Sequence, residues 1–338
     1  MHCHLFVPDF FRFDDAAEAA PRLAAAETLI AKGRRKEYPF ESPEAWLCER
    51  FGVQRQRDWP VAPYTLIADG GVPGGNYWLR ADPVHLQIDR DRLVLADDSV
   101  FSVSREEAEQ LAGGLNAQFR DRLMFYPMQP ERWYARLDAA PDLATVPLGA
   151  ARGKSIEENL PAAGDSMRFH AYMNEAQMLL FSHPVNAARE ARGEPLVNSI
   201  WFWGGGTVDE TADAPFTHVL ADDPLGRGLA KSAGVPVRAL PFAGWAWLES
   251  APEAGVALIV IDSLRRPASY ADAKTFFERR QALEDNWFAP LLAALRAGRI
   301  GMITLHLAGP HAVLQVEAVR ADLRHFWRLR KPLATIRP

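Results

Sequence analysis

Near-continuous apolar runs recur at residues 4–7, 197–203, 218–221, 235–239, 256–261 and 299–305, and they constrain the fold more than any other feature of the chain. Without polar alternation, such runs predict strands buried on both faces. Helix-like segments lie between them, the longest at residues 269–296, and this order predicts an α/β domain with a mostly parallel sheet covered on both sides. The first run leads to a helix over residues 16–32 that stops at Gly33, and Ser42-Pro43 opens another, serine being a good N-cap and proline a good first helical residue.

From Pro60 the texture differs. Short alternating segments at 64–68, 84–88 and 92–95 predict antiparallel strands, the Ser104-to-Glu107 capping box predicts a helix to Phe119, and residues 122–126 and 132–137 read as two further strands. A helix over 168–181 precedes His183-Pro184. These features predict a core from residues 1–59 and 191–338 with a smaller α+β domain, residues 60–190, inserted in it.

Length is ample for such an arrangement, and 48% hydrophobic with 24% charged residues is globular composition. Net charge is −5, so no global field draws nucleic acid or an anionic membrane, and neither is an expected partner. The longest uninterrupted apolar stretch, residues 256–261, is far shorter than the ~20 residues of a membrane span. The first residues lack the basic and apolar regions of a secretory signal, which predicts a cytoplasmic location. Cys3 and Cys48 are too few for a disulfide framework and are expected as thiols.

Ligands of open α/β sheets bind at the carboxyl ends of the strands. Asp9, Gly204-Gly205-Gly206, Asp222-Asp223, Asp262 and His306 are the candidates there. In His2-Cys3-His4, strand alternation puts both histidines on one face and the cysteine on the other, so core packing is favoured over a metal triad. The three glycines lack the lysine and hydroxyl residue of a P-loop, and no Gly-x-Ser-x-Gly motif marks an α/β-hydrolase. The arginine-rich end, with Arg320, Arg324, Arg328, Arg330, Lys331 and Arg337, predicts an amphipathic helix docking Leu323, Phe326 and Trp327 on the core.

Asn174-Glu175, His183-Pro184-Val185-Asn186, Arg189-Glu190 and the stretch Asn198 to Gly204 resemble the cofactor-independent phosphoglycerate mutases of archaeal type. Together with Tyr77 to Leu86 and Arg330 to Ala334, they resemble more closely the RpfE-type bacterial regulatory proteins related to those mutases. The resemblance implies an alkaline-phosphatase-like three-layer α/β/α core. It also implies two divalent cations, manganese or zinc, flanking a serine nucleophile. Position by position, it assigns Asp9, Asp262 and His306 to metal and Ser42 to nucleophilic attack, chemistry in which cations lower the nucleophile's pKa and clamp the transferred group.

The pattern also breaks. Its Asp-Glu-x-x-x-His element falls on Asp262-Ser263-Leu264-Arg265-Arg266, its Asp-His pair on Leu305-His306, and Pro43 replaces the aspartate after the nucleophile. Arg265 and Arg266 put positive charge where a cation is expected, and a guanidinium can meet a phosphate in a metal's stead. Arg80, His183, Asn186, Arg189, Arg265 and Arg266 are therefore the candidate contacts for a small anionic metabolite. The leading expectation is a regulatory or sensing binder with a degenerate metal site and no cofactor. An active phosphomutase or phosphatase using Ser42 and a divalent metal is the first alternative, and a non-catalytic partner of another protein the second.

Overall fold

The computed structural model describes residues 1–13, 21–89, 92–96, 101–209 and 213–336. The chain forms two compact units, Met1–Gly52 with Asp213–Pro338, and Val53–Ala212. The first unit opens on β1 (His2–Val7). Its side chains alternate: Cys3, Leu5 and Val7 enter the main apolar cluster, whereas Phe6 on the opposite face stacks on Trp46 at 3.9 Å. α1 (Ala24–Lys32) follows, and the expected start of this helix at residue 16 lies outside the described residues. After β2 (Arg34–Pro39), α2 (Pro43–Arg50) begins where Ser42-Pro43 predicts, the Ser42 Oγ accepting from the Ala45 amide at 3.0 Å.

The second unit begins with α3 (Val61–Ala68), where alternation predicts a strand. Its residues Val61, Ala62, Tyr64 and Leu66 are buried on every side, so no helical period shows in the sequence. β3 (Tyr77–Asp89), β4 (Arg92–Ala96), α4 (Arg105–Phe119), β5 (Met124–Gln129), β6 (Arg132–Leu137), α5 (Leu148–Ala151), α6 (Ser166–Phe181) and α7 (Pro184–Ala191) follow. Both halves of the predicted capping box form: Ser104 Oγ accepts from the Glu107 amide, and Glu107 accepts from the Ser104 amide. β7 (Ser199–Gly206) closes the unit by pairing antiparallel with β3. This places the apolar run 197–203 in the second unit's sheet rather than in the parallel core, and the unit limits fall at 52/53 and 212/213 instead of the expected 59/60 and 190/191. Gly204 to Gly206 are strand residues, not a phosphate loop, and a Cβ on Gly204 would come within 2.8 Å of Val61.

Returning to the first unit, the chain forms β8 (His218–Leu220), α8 (Pro224–Ser232), β9 (Val237–Arg238), α9 (Gly244–Ser250), β10 (Val256–Val260), α10 (Arg265–Ser269), α11 (Ala273–Leu283), a π turn at Glu284–Phe288, α12 (Ala289–Ala297), β11 (Met302–Ala308) and β12 (Ala312–Val319). Among the described residues, its seven strands run in the order β2-β12-β11-β1-β10-β8-β9. The five from β11 to β9 are parallel, and β12 and β2 add an antiparallel edge. α1 and α12 contribute Leu29, Leu291 and Leu295 to the main apolar cluster on one face; α2 and α8 cover the other, so helices flank the sheet on both sides.

Two local expectations are corrected. The single long helix expected over 269–296 starts only at Ala273 and is two α-helices, α11 and α12, joined through the π turn, whose buried Glu284 accepts from the Ala25 and Ala26 amides at 2.5 and 3.1 Å. This carboxylate caps α1, whose own N-cap residue, Leu23, has no side-chain acceptor. The C-terminal segment is not a docked amphipathic helix but short 3₁₀ turns at Asp322–Arg324 and Leu333–Thr335. Arg328 donates to the Lys32 carbonyl at 2.7 Å and Lys32 to the His325 carbonyl at 2.6 Å, tying the segment to the end of α1. Leu323 packs on the core, whereas Phe326 and Trp327 are exposed; Arg337 lies outside the described residues.

Candidate functional site

Three adjacent parallel strands, β1, β10 and β8, present acids just beyond their carboxyl ends. Asp9 follows β1 in the left-handed region at φ 60°, a conformation aspartate tolerates better than most residues. Asp262 follows β10. Asp223 follows β8 and caps α8, its Oδ1 accepting from the Gly226 amide at 2.7 Å.

Arg265, at the start of α10, is held to this place by its own amide, which donates to the Asp262 carbonyl at 2.9 Å. Its Nη2 donates to Glu44 Oε1 on α2 at 2.8 Å, with the two side chains 25% and 8% exposed. Glu44 also takes a hydrogen bond from the Ser42 hydroxyl. The first unit thus brings Asp9, Ser42, Asp262 and Arg265 together, and adds two acids missing from the resemblance-based set, Glu44 and Asp223. Asp223 was visible as a strand-end acid; Glu44 gave only the signal of an acid in the first turn of a helix.

The electrostatics follow from burial in a crowd of like charges. Burial raises the Asp9 carboxyl despite Arg265 and Arg12, and raises that of Asp262 against Arg265. Burial and neighbouring Asp262 push Asp223 up to about 6. Burial also acts upward on Glu44, but Arg265 and the Ser42 hydroxyl outweigh it and hold that carboxyl below its ordinary value. Around Arg265, burial opposes the charge, and Glu44, Asp9 and Asp223 more than restore it. The Arg265 guanidinium is thus paired with Glu44 and sits in the field of the other strand-end acids, so it is not the free phosphate clamp that was expected. Arg266, beside it on α10, is exposed.

His306 is the clearest departure. It stands within β11 opposite Phe6, not beyond a strand end, and is 2% exposed. Its Nε2 meets His4 Nδ1 at 3.0 Å and its Nδ1 meets the Tyr38 hydroxyl at 3.2 Å, so both ring nitrogens are engaged. His2 and His4 share this face with ring centroids 4.0 Å apart, as alternation predicts, while Cys3 is buried on the other. Burial, then neighbouring His2 and Arg50, lowers His4 to about 3, and burial with His4 lowers His306 well below its ordinary value. Burial disfavours the charged form of these imidazoles, and their ring nitrogens are taken up by protein partners. Among the described residues, no three side chains of His, Cys, Asp or Glu are arranged to hold a metal ion. The residues present do not fit the two-cation set that the resemblance implies.

In the second unit the candidate contacts face inward. Arg80 donates from Nε and Nη2 to Asp82 Oδ1 at 3.1 and 2.7 Å, and lies between the rings of Tyr134 and Trp203. His183 caps α7, its Nδ1 accepting from the Val185 amide at 3.3 Å. Asn186 donates to the Leu180 and Val197 carbonyls and accepts from the Val197 amide. Arg189, 1% exposed, donates to the Pro195 and Ser102 carbonyls and to Glu107.

A cavity of about 250 Å³ opens at the carboxyl end of β10, with Asp222, Ser263, Arg279 and Asn286 among its polar residues and Phe242 and Trp287 among its apolar ones. Arg279 is exposed and donates from Nη1 to the Ser263 carbonyl at 3.3 Å. Sequence reasoning missed Arg279 because it sits in the middle of α11, one charge on a solvated helix face.

No family model matches the chain. Over 168 residues it is 29% identical to a protein of Geobacter sulfurreducens named as a probable 2,3-bisphosphoglycerate-independent phosphoglycerate mutase. Over 113 residues it is 30% identical to the 2,3-bisphosphoglycerate-independent phosphoglycerate mutase of Methanothrix thermoacetophila. These stretches take up 47% and 33% of this chain and span only 41% and 29% of the relatives' lengths. Among solved structures, a Pyrococcus horikoshii protein superposes with a TM-score of 0.57 at 14% identity, covering 94% of this chain and 87% of that one. The cofactor-independent phosphoglycerate mutase of Thermoplasma acidophilum gives 0.49 at 18% identity, with 99% and 95% covered. No helix among the described residues is long and apolar enough to cross a membrane. The fold is α/β and alkaline-phosphatase-like, and part of the chain is similar in sequence to phosphoglycerate mutases.

Proposed function

We propose that this chain is a phosphoglycerate-mutase-like protein with a degenerate metal site, which binds a small phosphorylated or carboxylated metabolite in a regulatory or sensing role of the RpfE type. The observation that carries the reading is the Arg265–Glu44 ion pair among the strand-end acids, together with the use of the Ser42 hydroxyl as a helix cap. A nucleophile committed to capping, and carboxylates committed to an arginine, support recognition over turnover. The anionic group of the metabolite would be met by the exposed guanidinium of Arg279, which lines the cavity at the end of β10. Arg80, His183, Asn186 and Arg189 would serve by holding the second unit's fold.

The test is a thermal-shift series with phosphorylated three-carbon acids on chelator-treated protein. The reading expects a rise in melting temperature without metal, equal in Ser42→Ala and lost in Arg279→Ala. It is abandoned if no such acid shifts the melt. The partial similarity to mutases favours one second reading, a working phosphomutase or phosphatase, which requires phosphoryl transfer that depends on manganese or zinc and disappears in Ser42→Ala.

A further inference from the structure

We propose that the segment 324–331, with the basic edge strand β2 to which it is tied, is a docking surface for an anionic lipid bilayer. Phe326, Trp327 and Leu329 enter the interface and the surrounding lysines and arginines meet the headgroups. The surface shares no residue with the cavity at the strand ends, so it adds a second binding function to the first unit.

Phe326, Trp327 and Leu329 are 81%, 63% and 77% exposed, and nowhere else among the described residues do three large apolar side chains stand open to solvent within four positions. A contiguous apolar patch left in water marks an interaction surface. The segment is held in this pose from both sides. Before it, Leu323 packs on the main apolar cluster; after it, Leu333 and Ile336 belong to that cluster. In between, Lys32 Nζ donates to the His325 carbonyl at 2.6 Å, and Arg328 Nη1 donates to the Lys32 carbonyl at 2.7 Å. Trp327 touches the rings of Phe326 and His325, its neighbours in the segment, rather than the core.

These two hydrogen bonds join stretches 293 and 296 residues apart in the chain and bring two basic runs together. Residues 32–37 and 317–331 carry nine lysines and arginines against three acids, in a chain whose net charge is −5. Two of the acids are engaged: Glu317 pairs with Arg34 at 3.2 Å, and Asp322 accepts from the Val319 amide at 3.0 Å. Arg35, Lys36, Arg324, Arg330 and Lys331 are exposed, with no carboxylate partner among the described residues. Net charge governs attraction from afar, but within the ~8 Å Debye length of physiological salt the local patch decides. An anionic surface that the whole molecule does not draw is therefore attracted by this face.

Tryptophan, phenylalanine and leucine beside clustered arginine and lysine are the composition of a segment that lies in an anionic lipid interface. Aromatic rings beside arginines also suit stacked nucleic-acid bases. Leu329, however, has no stacking face, and Phe326 meets Trp327 edge-on at 84°, so insertion fits the set better than base stacking.

Vesicle flotation with the full chain tests the proposal, using phosphatidylcholine alone and phosphatidylcholine with about 30% phosphatidylserine. The wild type is expected to float only with the serine-containing vesicles and to be released as salt rises from about 0.05 to 0.5 M. Arg330→Gln with Lys331→Gln should weaken binding about thirtyfold, and Arg35→Gln with Lys36→Gln, on β2, by a similar factor. Leu329→Ser should weaken vesicle binding at least about threefold while leaving the melting temperature near that of the wild type, because the side chain is exposed. A single-stranded RNA oligonucleotide is titrated in parallel. No flotation with anionic vesicles overturns the proposal, as does equal flotation with phosphatidylcholine alone or flotation that the folded variants leave unchanged. RNA binding without vesicle binding, lost in Arg330→Gln with Lys331→Gln, also overturns it and assigns the patch to nucleic acid. None of these outcomes bears on the metabolite reading, which stands or falls with the thermal shifts and Arg279.

Discussion

Two buried arginine–carboxylate pairs in this molecule have opposite surroundings. Arg80 and Asp82 are 5% and 0% exposed, and both carboxylate oxygens of Asp82 are hydrogen-bonded: Oδ1 by Arg80 and the Trp133 amide, Oδ2 by the Trp203 indole. Arg265 and Glu44 are more open, and the acids Asp9, Asp223 and Asp262 crowd the same guanidinium. A balanced, fully satisfied pair holds a fold together and has no charge left for a ligand. An unbalanced cluster at strand ends keeps carboxylates away from their ordinary pKa values, the mark of a site rather than of a strut. Arg80, a candidate contact in the sequence, is thus committed to Asp82 inside the second unit, whereas Arg265 pairs with Glu44 where the strand-end acids gather.

The comparison breaks first at Arg80. Arg80→Ala leaves Asp82 charged and buried without its partner, and chemical denaturation is expected to show a loss of about 3–5 kcal/mol. A loss below about 1 kcal/mol, the surface-pair range, would remove the distinction between the two clusters.

Asp223 offers the next largest effect. Its carboxyl stands at about 6 in the folded protein against an ordinary 3.8. The folded state thus binds its proton more tightly than the unfolded state. Its contribution to stability is complete below about pH 4 and is lost as pH rises through about 6. Asp223→Asn, which keeps a capping oxygen for the Gly226 amide, should flatten the stability profile between these limits by about 2–3 kcal/mol. An unchanged slope would show that the strand-end acids are not crowded.

Arg265→Ala is expected to cost about 1–2 kcal/mol at neutral pH, less than Arg80→Ala, because the Arg265 side chain is 25% exposed against 5% for Arg80, so water can reach the carboxylate that its removal leaves. Equal costs for the two arginines would make both structural. Ser42→Ala removes the N-cap of α2 and should lower stability by about 1 kcal/mol while leaving metabolite binding intact. Phe326→Ser, on the exposed C-terminal segment, should change stability by less than about 0.5 kcal/mol; a larger loss would mean that the segment packs against more than its anchors.

Legibility from sequence followed the range of the interactions. The Ser42-Pro43 helix start and the Ser104–Glu107 capping box were readable because each is closed by bonds between residues three apart. β1, β8, β10 and β11 were readable from apolar content. The 64–68 segment was misread because a short apolar stretch buried on all sides carries no period. The 197–203 run is a strand as expected, yet its partner β3 begins more than a hundred residues earlier, and apolar content does not specify which sheet a strand joins. His306 looked like a strand-end ligand because β11 extends to Ala308, farther than its apolar residues indicate.

By itself the sequence determined the α/β class, the existence of a second unit, the helix starts and the acids at the strand ends, all of which follow from periodicity, capping and turn chemistry within a few residues. Tertiary structure alone decided which charges neutralise which. Arg265 and Glu44 are 221 residues apart in the chain, and their pairing depends on how the α2 and β10 ends are brought together by the sheet. Charge pairing falls off over a few ångströms and is indifferent to distance along the chain, so the difference between a strut and a site appears only once the chain has closed on itself.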